Sequence, residues 1–247
     1  MTDKVYLDHC PKKVALVCMG PSAVDYLGKT LTQEFDPDWV DEVWTVNMAA
    51  NPFRCDLVFW MDDLAEQEKA HPKLFVALRR WGVPVITSVR RPGVVPNSYD
   101  YPIAGVGAIG IPLFGKPYLN NGVAMALAYA IWKRVERITV YGADFSYPNR
   151  DYAESGRACV EAWITLCLVN NVTVELCPST SLIDMVKDEG VYGYAEQPDV
   201  LLPDGRVFKY VRKAVLGRYA PEDSSGKGPQ PVMPYPGNGL DHAGVSP

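Results

Sequence analysis

The sequence predicts an α/β fold with an open, mostly parallel sheet and helices on both faces. Six apolar runs rich in β-type residues alternate with helical or irregular segments between residues 14 and 180. This alternation is typical of βαβ units. Each run also ends in a small or polar turn. The predicted strands are Val14–Cys18, Val43–Val46, Leu57–Met61, Val83–Thr87, Ile138–Tyr141 and Val172–Leu176.

Three helices are predicted between these strands. Ala65–Trp81 has apolar residues at helical spacing and is followed by Gly82 as a stop signal. Gly122–Val135 is rich in alanine and follows Asn120-Asn121, which can cap it. Ala153–Asn170 carries a further apolar stripe. We therefore expect one Rossmann-like domain over residues 1–183.

Three segments have a different composition. Residues 88–118 are rich in proline and glycine, which predicts a lid loop over a cleft, with a decorative insertion as the alternative. Residues 184–220 are expected to form a small C-terminal cap, helical in part. Residues 221–247 are rich in proline, glycine, serine and aspartate and are expected to form a disordered tail.

The composition narrows the function classes. The net charge of −5 does not support a broad nucleic-acid-binding surface, although it does not exclude a local basic groove. The sequence has no run of about 18 uncharged apolar residues, so we expect no membrane span. Residues 1–4 lead into charged sequence, so we expect no signal peptide there. The six cysteines lack metal-ligand spacing. We expect a cytoplasmic protein and leave its oligomeric state open.

The first strand ends in Met19, Gly20, Pro21 and Ser22. Glycine permits close approach of a ligand, serine can cap the next helix, and amides at a helix start favour a phosphate. Asn47 ends the second strand and suits a ribose hydroxyl or a phosphate, or else a left-handed turn. Since parallel strands bind ligands at their carboxyl ends, these residues predict a nucleotide site.

Asp62 and Asp63 end the third strand. Two carboxylates at a strand end can bind Mg²⁺ and, through it, bridging phosphates. The alternative is that Asp63 caps the helix that starts near Leu64 while Asp62 holds a loop.

The fifth predicted strand ends before Asp144, and two tyrosines, Tyr147 and Tyr152, follow it closely. Asp144 is expected beside the Gly20 turn, either as a ligand contact or as a buried residue that holds the loop. The tyrosines can donate hydrogen bonds to a phosphate.

Glu154, Arg157 and Glu161 have the spacing of one helix face. Arg157 can clamp a phosphate or carboxylate, with a surface ion pair as the alternative. No histidine follows any of the predicted strands, so a histidine general base is not expected.

The order of these motifs resembles the single-domain bacterial sialyltransferases. The motifs are VALVCMGPS, TVN ending at Asn47, NGV from Asn121, ITVYGADF and VELCPS, within residues 14–183. They are also similar to the MptE-like family, which includes motility-associated glycosyltransferases and a 6-hydroxymethylpterin pyrophosphokinase. The chain departs from the sialyltransferases at Met19, where they have asparagine, and in lacking their histidine base near Tyr152.

The resemblance implies a Rossmann-like fold that binds a nucleotide donor. It implies that Gly20, Pro21, Ser22 and Asn47 contact the nucleotide. Asn121 and Gly122 would lie near the donor sugar or phosphates, and Tyr147 and Tyr152 near the leaving phosphate.

The leading hypothesis is a glycosyltransferase-like enzyme, encoded by a phage or mobile element, with a nucleotide-sugar donor and an unidentified acceptor. Glu154 or Asp62 would deprotonate the acceptor hydroxyl. The alternatives are a pyrophosphokinase-type transferase that uses Mg²⁺ and ATP, and a nucleotide-binding protein without catalysis.

Overall fold

The structure is a computed structural model that describes residues 9–31, 39–183, 200–201, 203 and 205–208. Its helices are α1 (Ala23–Leu31), α2 (Leu64–Ala70), α3 (Pro72–Trp81), α4 (Ile103–Phe114), α5 (Gly122–Trp132) and α6 (Arg150–Val169), with a short 3₁₀ turn at Asn47–Ala50. The strands of the main sheet are β1 (Lys13–Val17), β2 (Glu42–Val46), β3 (Leu57–Phe59), β4 (Val85–Thr87), β5 (Ser98–Asp100), β6 (Arg137–Tyr141) and β7 (Thr173–Leu176).

These seven strands form one open sheet in the order β5-β4-β3-β2-β1-β6-β7. Every neighbouring pair is parallel. All six predicted strands are present within a few residues of their expected bounds, and β5 is an additional edge strand. The predicted Rossmann-like α/β class is therefore confirmed.

Helices α4, α5 and α6 cover one face of the sheet. Trp44 of β2 and Phe59 of β3 contact Tyr129 of α5, with ring centroids 5.6 and 5.4 Å from it. All three side chains are fully buried. Such aromatic contacts combine a large buried area with defined geometry, so they fix how α5 crosses the sheet.

Helices α1, α2 and α3 cover the opposite face. Successive side chains of a strand point to opposite faces, and Val58 and Trp60 accordingly pack against Leu74, Phe75 and Leu78 of α3. Ala15 and Val17 of β1 pack with Tyr26 of α1. The expectation of helices on both faces is thus confirmed.

Strand β1 lies between β2 and β6 at the centre of the sheet. The chain proceeds from β1 to one side through β5 and then returns to the other side at β6. The carboxyl ends of β1 and β6 therefore flank the topological switch point, where open α/β sheets bind their ligands.

The prediction of one helix over Ala65–Trp81 is wrong, because the structure has two helices that meet at His71. Pro72 is the first residue of α3. A proline disfavours helical backbone in the residue before it and lacks the amide hydrogen that a continuous helix needs. His71 has φ −130° and ψ 51°, outside the helical region.

The prediction of a lid loop over residues 88–118 is also wrong in its structure. The segment contains β5 and the twelve-residue helix α4. The glycines of α4 permit close packing, because a Cβ at Gly110 would lie 2.7 Å from the Pro117 carbonyl oxygen. Val106, Gly107 and Gly110 are buried, so apolar packing outweighs the composition typical of a loop.

The predicted C-terminal cap and tail lie outside the described residues, except for a few positions in 200–208. There, β8 (Val200–Leu201) and β9 (Val207–Phe208) form a two-stranded antiparallel pair. In the described part of the chain, no helix combines the length and apolar character needed to cross a bilayer.

Candidate functional site

The turn after β1 is hydrogen-bonded directly to the turn after β6. The Cys18 amide donates to the Tyr141 carbonyl at 2.9 Å, and the Gly20 amide donates to the Gly142 carbonyl at 2.7 Å. A Cβ at Gly20 would lie 2.5 Å from the same Gly142 oxygen. Glycine at position 20 is therefore needed for the two turns to meet.

Hydrogen bonds of Ser22 and Asp144 also join these two turns. The Ser22 amide donates to Asp144 Oδ2 at 2.7 Å, and the Gly142 amide donates to Ser22 Oγ at 2.9 Å. Ser22 is 1% exposed and Asp144 is 6% exposed. The amide expected to receive a phosphate thus binds a carboxylate of the chain itself, and the Ser22 hydroxyl accepts from Gly142 rather than capping α1. Pro21 beside them is exposed.

Asp144 also holds the segment that follows β7, residues 177–183, here called the closing segment. Its carboxylate accepts from the Ser181 amide at 3.2 Å, and its carbonyl accepts from the Ser181 hydroxyl at 2.7 Å. On the other side of the segment, the Ser179 amide and hydroxyl donate to Asp25 at 2.8 and 2.6 Å. The closing segment is therefore fixed to α1 and to the loop after β6.

Arg157, expected to clamp a phosphate, is engaged by the closing segment. Its guanidinium donates to the Ser181 carbonyl at 2.6 Å and to the Asp144 carbonyl at 3.3 Å. Glu161 accepts from the Ile183 amide at 2.8 Å. Arg157 and Glu161, on one face of α6, therefore both hold the closing segment.

The start of α5 lies against the end of β2. A Cβ at Gly122 would lie 2.8 Å from Val46 Cγ1, so residue 122 can approach β2 only as glycine. The next residue of that strand end, Asn47, has φ 52°, in the left-handed region that asparagine tolerates better than most residues. Asn47 and Gly122 therefore border the same part of the carboxyl edge.

Asn121 caps α5, as predicted. Its Oδ1 accepts from the Ala124 amide at 2.9 Å, and its Nδ2 donates to the Gly156 carbonyl at 3.1 Å. The second bond ties the start of α5 to the early turns of α6. One asparagine thereby sets the spacing of the two helices at the site.

A cleft opens between these two helix starts. Its volume is about 40 Å³, room for a few water molecules. Tyr147 and Tyr152 are more than half exposed, and their ring centroids lie 5.4 Å apart. The lining residues are Asn120, Asn121, Phe145, Tyr147, Tyr152, Ser155 and Gly156.

The cleft includes three predicted residues, Asn121, Tyr147 and Tyr152. Sequence reasoning missed Ser155, although it lies one helical turn after Tyr152 and therefore shares its face. It also missed Phe145, whose ring lies so close to Gly156 that a Cβ there would be 2.7 Å from it. The other predicted nucleotide contacts do not line the cleft; they are Gly20, Pro21, Ser22, Asn47, Gly122, Asp144 and Arg157.

The wall of the cleft is held by two side chains of α6. Cys159 Sγ and Trp163 Nε1 both donate to the Tyr118 carbonyl, at 3.2 and 2.7 Å. The Asn120 amide in turn donates to Cys159 Sγ at 3.4 Å. Tyr118 has φ 48°, a strained conformation that persists only when its surroundings stabilise it. Cys159 and Trp163 supply that stabilisation.

The ionisable groups near the cleft have different surroundings. Burial raises the pKa of the Tyr147 phenol above its usual value, so at neutral pH the group is a hydrogen-bond donor. Glu154, the predicted base, is exposed and accepts from Arg150 Nε at 2.7 Å. It precedes Ser155 but does not itself line the cleft.

The predicted metal pair has another role at Asp63. Asp63 Oδ1 accepts from the Ala65 amide at 2.8 Å, which caps α2, and its Oδ2 lies 2.7 Å from Arg91. Both carboxylate oxygens of Asp63 are therefore engaged by other groups of the chain. Within the described ranges no cluster of three or more potential ligands could hold a metal ion. Asp62 is exposed beside it.

The fold and the site define a Rossmann-like α/β protein with an aromatic and amide-lined cleft at the carboxyl edge of the sheet. No protein-family model matches the chain, and no curated protein matches it significantly. One similar solved structure is the sialyltransferase CstII from Campylobacter jejuni, in complex with the substrate analogue CMP-3FNeuAc. It is 16% identical, with a TM-score of 0.44 over 68% of this chain and 81% of that chain.

Proposed function

We propose that the chain is a glycosyltransferase-like enzyme that binds a nucleotide-activated sugar at the carboxyl edge of the sheet. The observation that supports this best is the cleft between the starts of α5 and α6, where Tyr147, Tyr152 and Asn121 come together. Ligands of open α/β folds bind at this edge. The cleft joins aromatic surface to a few polar groups, as small-molecule sites do.

In this proposal the donor phosphates lie at the start of α5. The first turn of α5 has no acidic side chain, so its amides and the positive end of the helix dipole favour an anion. The tyrosine hydroxyls donate to the departing phosphate, which accumulates negative charge as the glycosidic bond breaks.

The proposed contacts outside the cleft have two kinds of role. Gly20, Pro21, Asn47 and Gly122 border the edge and contact the nucleotide. Ser22, Asp144 and Arg157 act on the nucleotide indirectly, since their hydrogen bonds hold the loops that carry the contacts.

The proposed base is Glu154, which precedes Ser155 of the cleft, with Asp62 as the alternative. Either carboxylate would accept the proton of an acceptor hydroxyl. Loss of a positioned base lowers turnover by about 10²–10⁴-fold, so Glu154→Gln and Asp62→Asn identify it. Full activity of both variants would remove both carboxylates from the mechanism.

A second candidate function is nucleotide binding without catalysis. It is favoured by the ionisable residues of the cleft lining, which among the described residues are only Tyr147 and Tyr152. A pyrophosphokinase that uses Mg²⁺ and ATP is less well supported, because Asp63 is engaged by α2 and Arg91.

The test is a thermal-shift panel of CMP, UDP, GDP and ATP species, with and without Mg²⁺, followed by a transfer assay with the best ligand. A ligand at 100 times its dissociation constant stabilises by about 2.7 kcal/mol. We expect a nucleotide sugar to give the largest shift and Tyr152→Ala to abolish it. The control is Trp81→Ala, because Trp81 is the exposed last residue of α3 and does not line the cleft.

The outcomes separate the candidates. Binding with turnover supports the glycosyltransferase, and tight binding without hydrolysis or transfer supports the non-catalytic protein. Preference for ATP, lost in EDTA, supports the pyrophosphokinase. If no nucleotide stabilises the chain, the proposal is wrong.

A further inference from the structure

The cleft is lined by neutral groups. Asn120 and Asn121 contribute amides, Ser155 a hydroxyl, and Phe145, Tyr147 and Tyr152 aromatic rings. Among the residues that the structure describes, no aspartate, glutamate, lysine or arginine lines it. Among the described residues, the lining thus offers no arginine, the usual bidentate partner of a carboxylate.

Among the described residues, the cationic side chains nearest in sequence to the α6 part of the lining already have partners. Arg157 donates to the carbonyls of Ser181 and Asp144. Arg150 pairs with Glu154 at 2.7 Å. In the proposed function the donor phosphates lie at the amides of the α5 start. A carboxylate on the sugar would enter the rest of the cleft without a charged partner from these residues, and a charge that loses water without gaining a partner is costly.

The same groups complement an uncharged sugar. The rings of Tyr147 and Tyr152 are more than half exposed, and aromatic rings pack well against apolar C–H surface. Asparagine can both donate to and accept from a sugar hydroxyl, as can serine. The cleft, at about 40 Å³, admits one hydroxyl-bearing edge of a sugar ring while the ring face lies on the tyrosines.

We infer that the cleft selects donors whose sugar is uncharged, such as a neutral hexose, over donors whose sugar carries a carboxylate. The inference rests on the proposed function, since it concerns the sugar of the nucleotide donor. It identifies Ser155, Asn120 and the two tyrosines as the residues that determine sugar specificity.

The test compares donors that differ only in charge. UDP-glucose and UDP-glucuronic acid differ at one carbon, which carries a hydroxymethyl group or a carboxylate, and GDP-mannose and GDP-mannuronic acid form the same pair for guanine. Affinities are measured by calorimetry on the full chain. We expect the neutral donor to bind at least about tenfold more tightly, which corresponds to about 1.4 kcal/mol.

A designed change of charge sharpens the test. Ser155→Arg places a cation in the cleft and should shift the preference toward the acidic donor. The control is Ala158→Arg, because Ala158 is exposed on the same helix outside the lining. It should leave the preference for the neutral donor as it is in the unmodified chain.

The results distinguish failure of this inference from failure of the proposed function. Equal or tighter binding of the acidic donor, or binding of only CMP-linked acidic sugars, overturns the inference and leaves the function standing. An unchanged preference in Ser155→Arg, with donor still bound, also overturns it. Absence of binding by every free and sugar-linked nucleotide overturns both.

Discussion

The Ser22 amide donates a hydrogen bond of 2.7 Å to the carboxylate of Asp144, across 122 residues of sequence. A helix start at the switch point commonly binds a ligand anion, and here an internal carboxylate takes that position. In the proposed function the donor phosphates therefore need other amides, and the start of α5 is the candidate.

Asp144→Asn tests this contact. The substitution keeps the shape of the side chain but removes the charge that the amides of Ser22 and Ser181 contact. Hydrogen bonds to charged groups contribute about 1.5–3 kcal/mol, so we expect a loss of that order in the free energy of unfolding by urea. The exposed Asp62→Asn should change it by less than about 0.5 kcal/mol. Equal effects would contradict a structural role for Asp144.

Gly142→Ala and Gly115→Ala form a matched pair. Both glycines have positive φ, 71° and 66°. A Cβ at Gly142 would collide with the Cys18 carbonyl oxygen, whereas nothing lies within 4 Å of a Cβ at Gly115. Left-handed backbone costs alanine about 1–2 kcal/mol at either position, and the collision should cost about 1–3 kcal/mol more at position 142. Similar stabilities in urea would show that the two turns are not packed together.

Cys159→Ala and Cys159→Ser test the support of the cleft wall. Alanine removes the donor to the Tyr118 carbonyl, and serine retains one. We expect Cys159→Ala to lose about 1 kcal/mol of stability and to bind nucleotide more weakly, with partial recovery in Cys159→Ser. If both variants bind nucleotide as tightly as the unmodified chain, this bond does not position the wall.

Stability should depend on acid pH through Asp63. The hydrogen bond from Arg91 holds the pKa of this carboxyl below its usual value, so the folded state favours the ionised form. Its contribution is therefore fully present above the ordinary value of about 3.9 and is lost as the pH falls through the lower, folded-state pKa. The stability difference between wild type and Asp63→Asn, from urea unfolding at several pH values, should shrink over that acid range. A difference that grows on acidification would contradict a lowered pKa of Asp63 in the folded state.

Thiol reactivity should report the packing of the sheet. Of the six cysteines, Cys10 is exposed and Cys55 is half-buried. Burial raises the pKa of Cys18 and of Cys167 to about 12, so neither supplies thiolate at neutral pH. We expect Ellman's reagent to modify Cys10 rapidly in the native chain and the buried thiols only after unfolding. Fast modification of Cys18 or Cys167 would show that the core opens.

The local pattern of the sequence predicts most of the fold. Apolar β-type runs identify six of the seven strands of the main sheet. Five of these strands are mostly buried, and buried parallel strands are nearly continuous in their hydrophobicity, whereas β7 at the sheet edge is partly exposed. Strand β5, Ser98–Asp100, carries no such pattern, since it is three residues long at the sheet edge. Helix α4 is not predicted, because its glycines and Pro112 have low helix propensity. The small size of the glycines nevertheless permits tight packing.

The candidate site is less predictable because its contacts are long-range. The cap by Asn121 follows from local sequence, and so does the position of Tyr152 on α6. The pairing of Ser22 with Asp144, and of Arg157 with Ser181, depends on which strand ends become neighbours. The sequence predicts Asp144 beside the Gly20 turn, either as a ligand contact or as a buried residue that holds the loop. The hydrogen bonds that join Asp144 to Ser22 fit the second alternative.

The central position of β1 also has a consequence during biosynthesis. Lys13 pairs with Arg137, so the first strand leaves the ribosome long before its second neighbour is made. At about 5–20 residues per second, that interval is roughly 6–25 s. One side of β1 stays open for this time, as an apolar edge able to pair with another nascent chain. We expect yield in cells to depend on chaperones that shield this edge until β6 emerges.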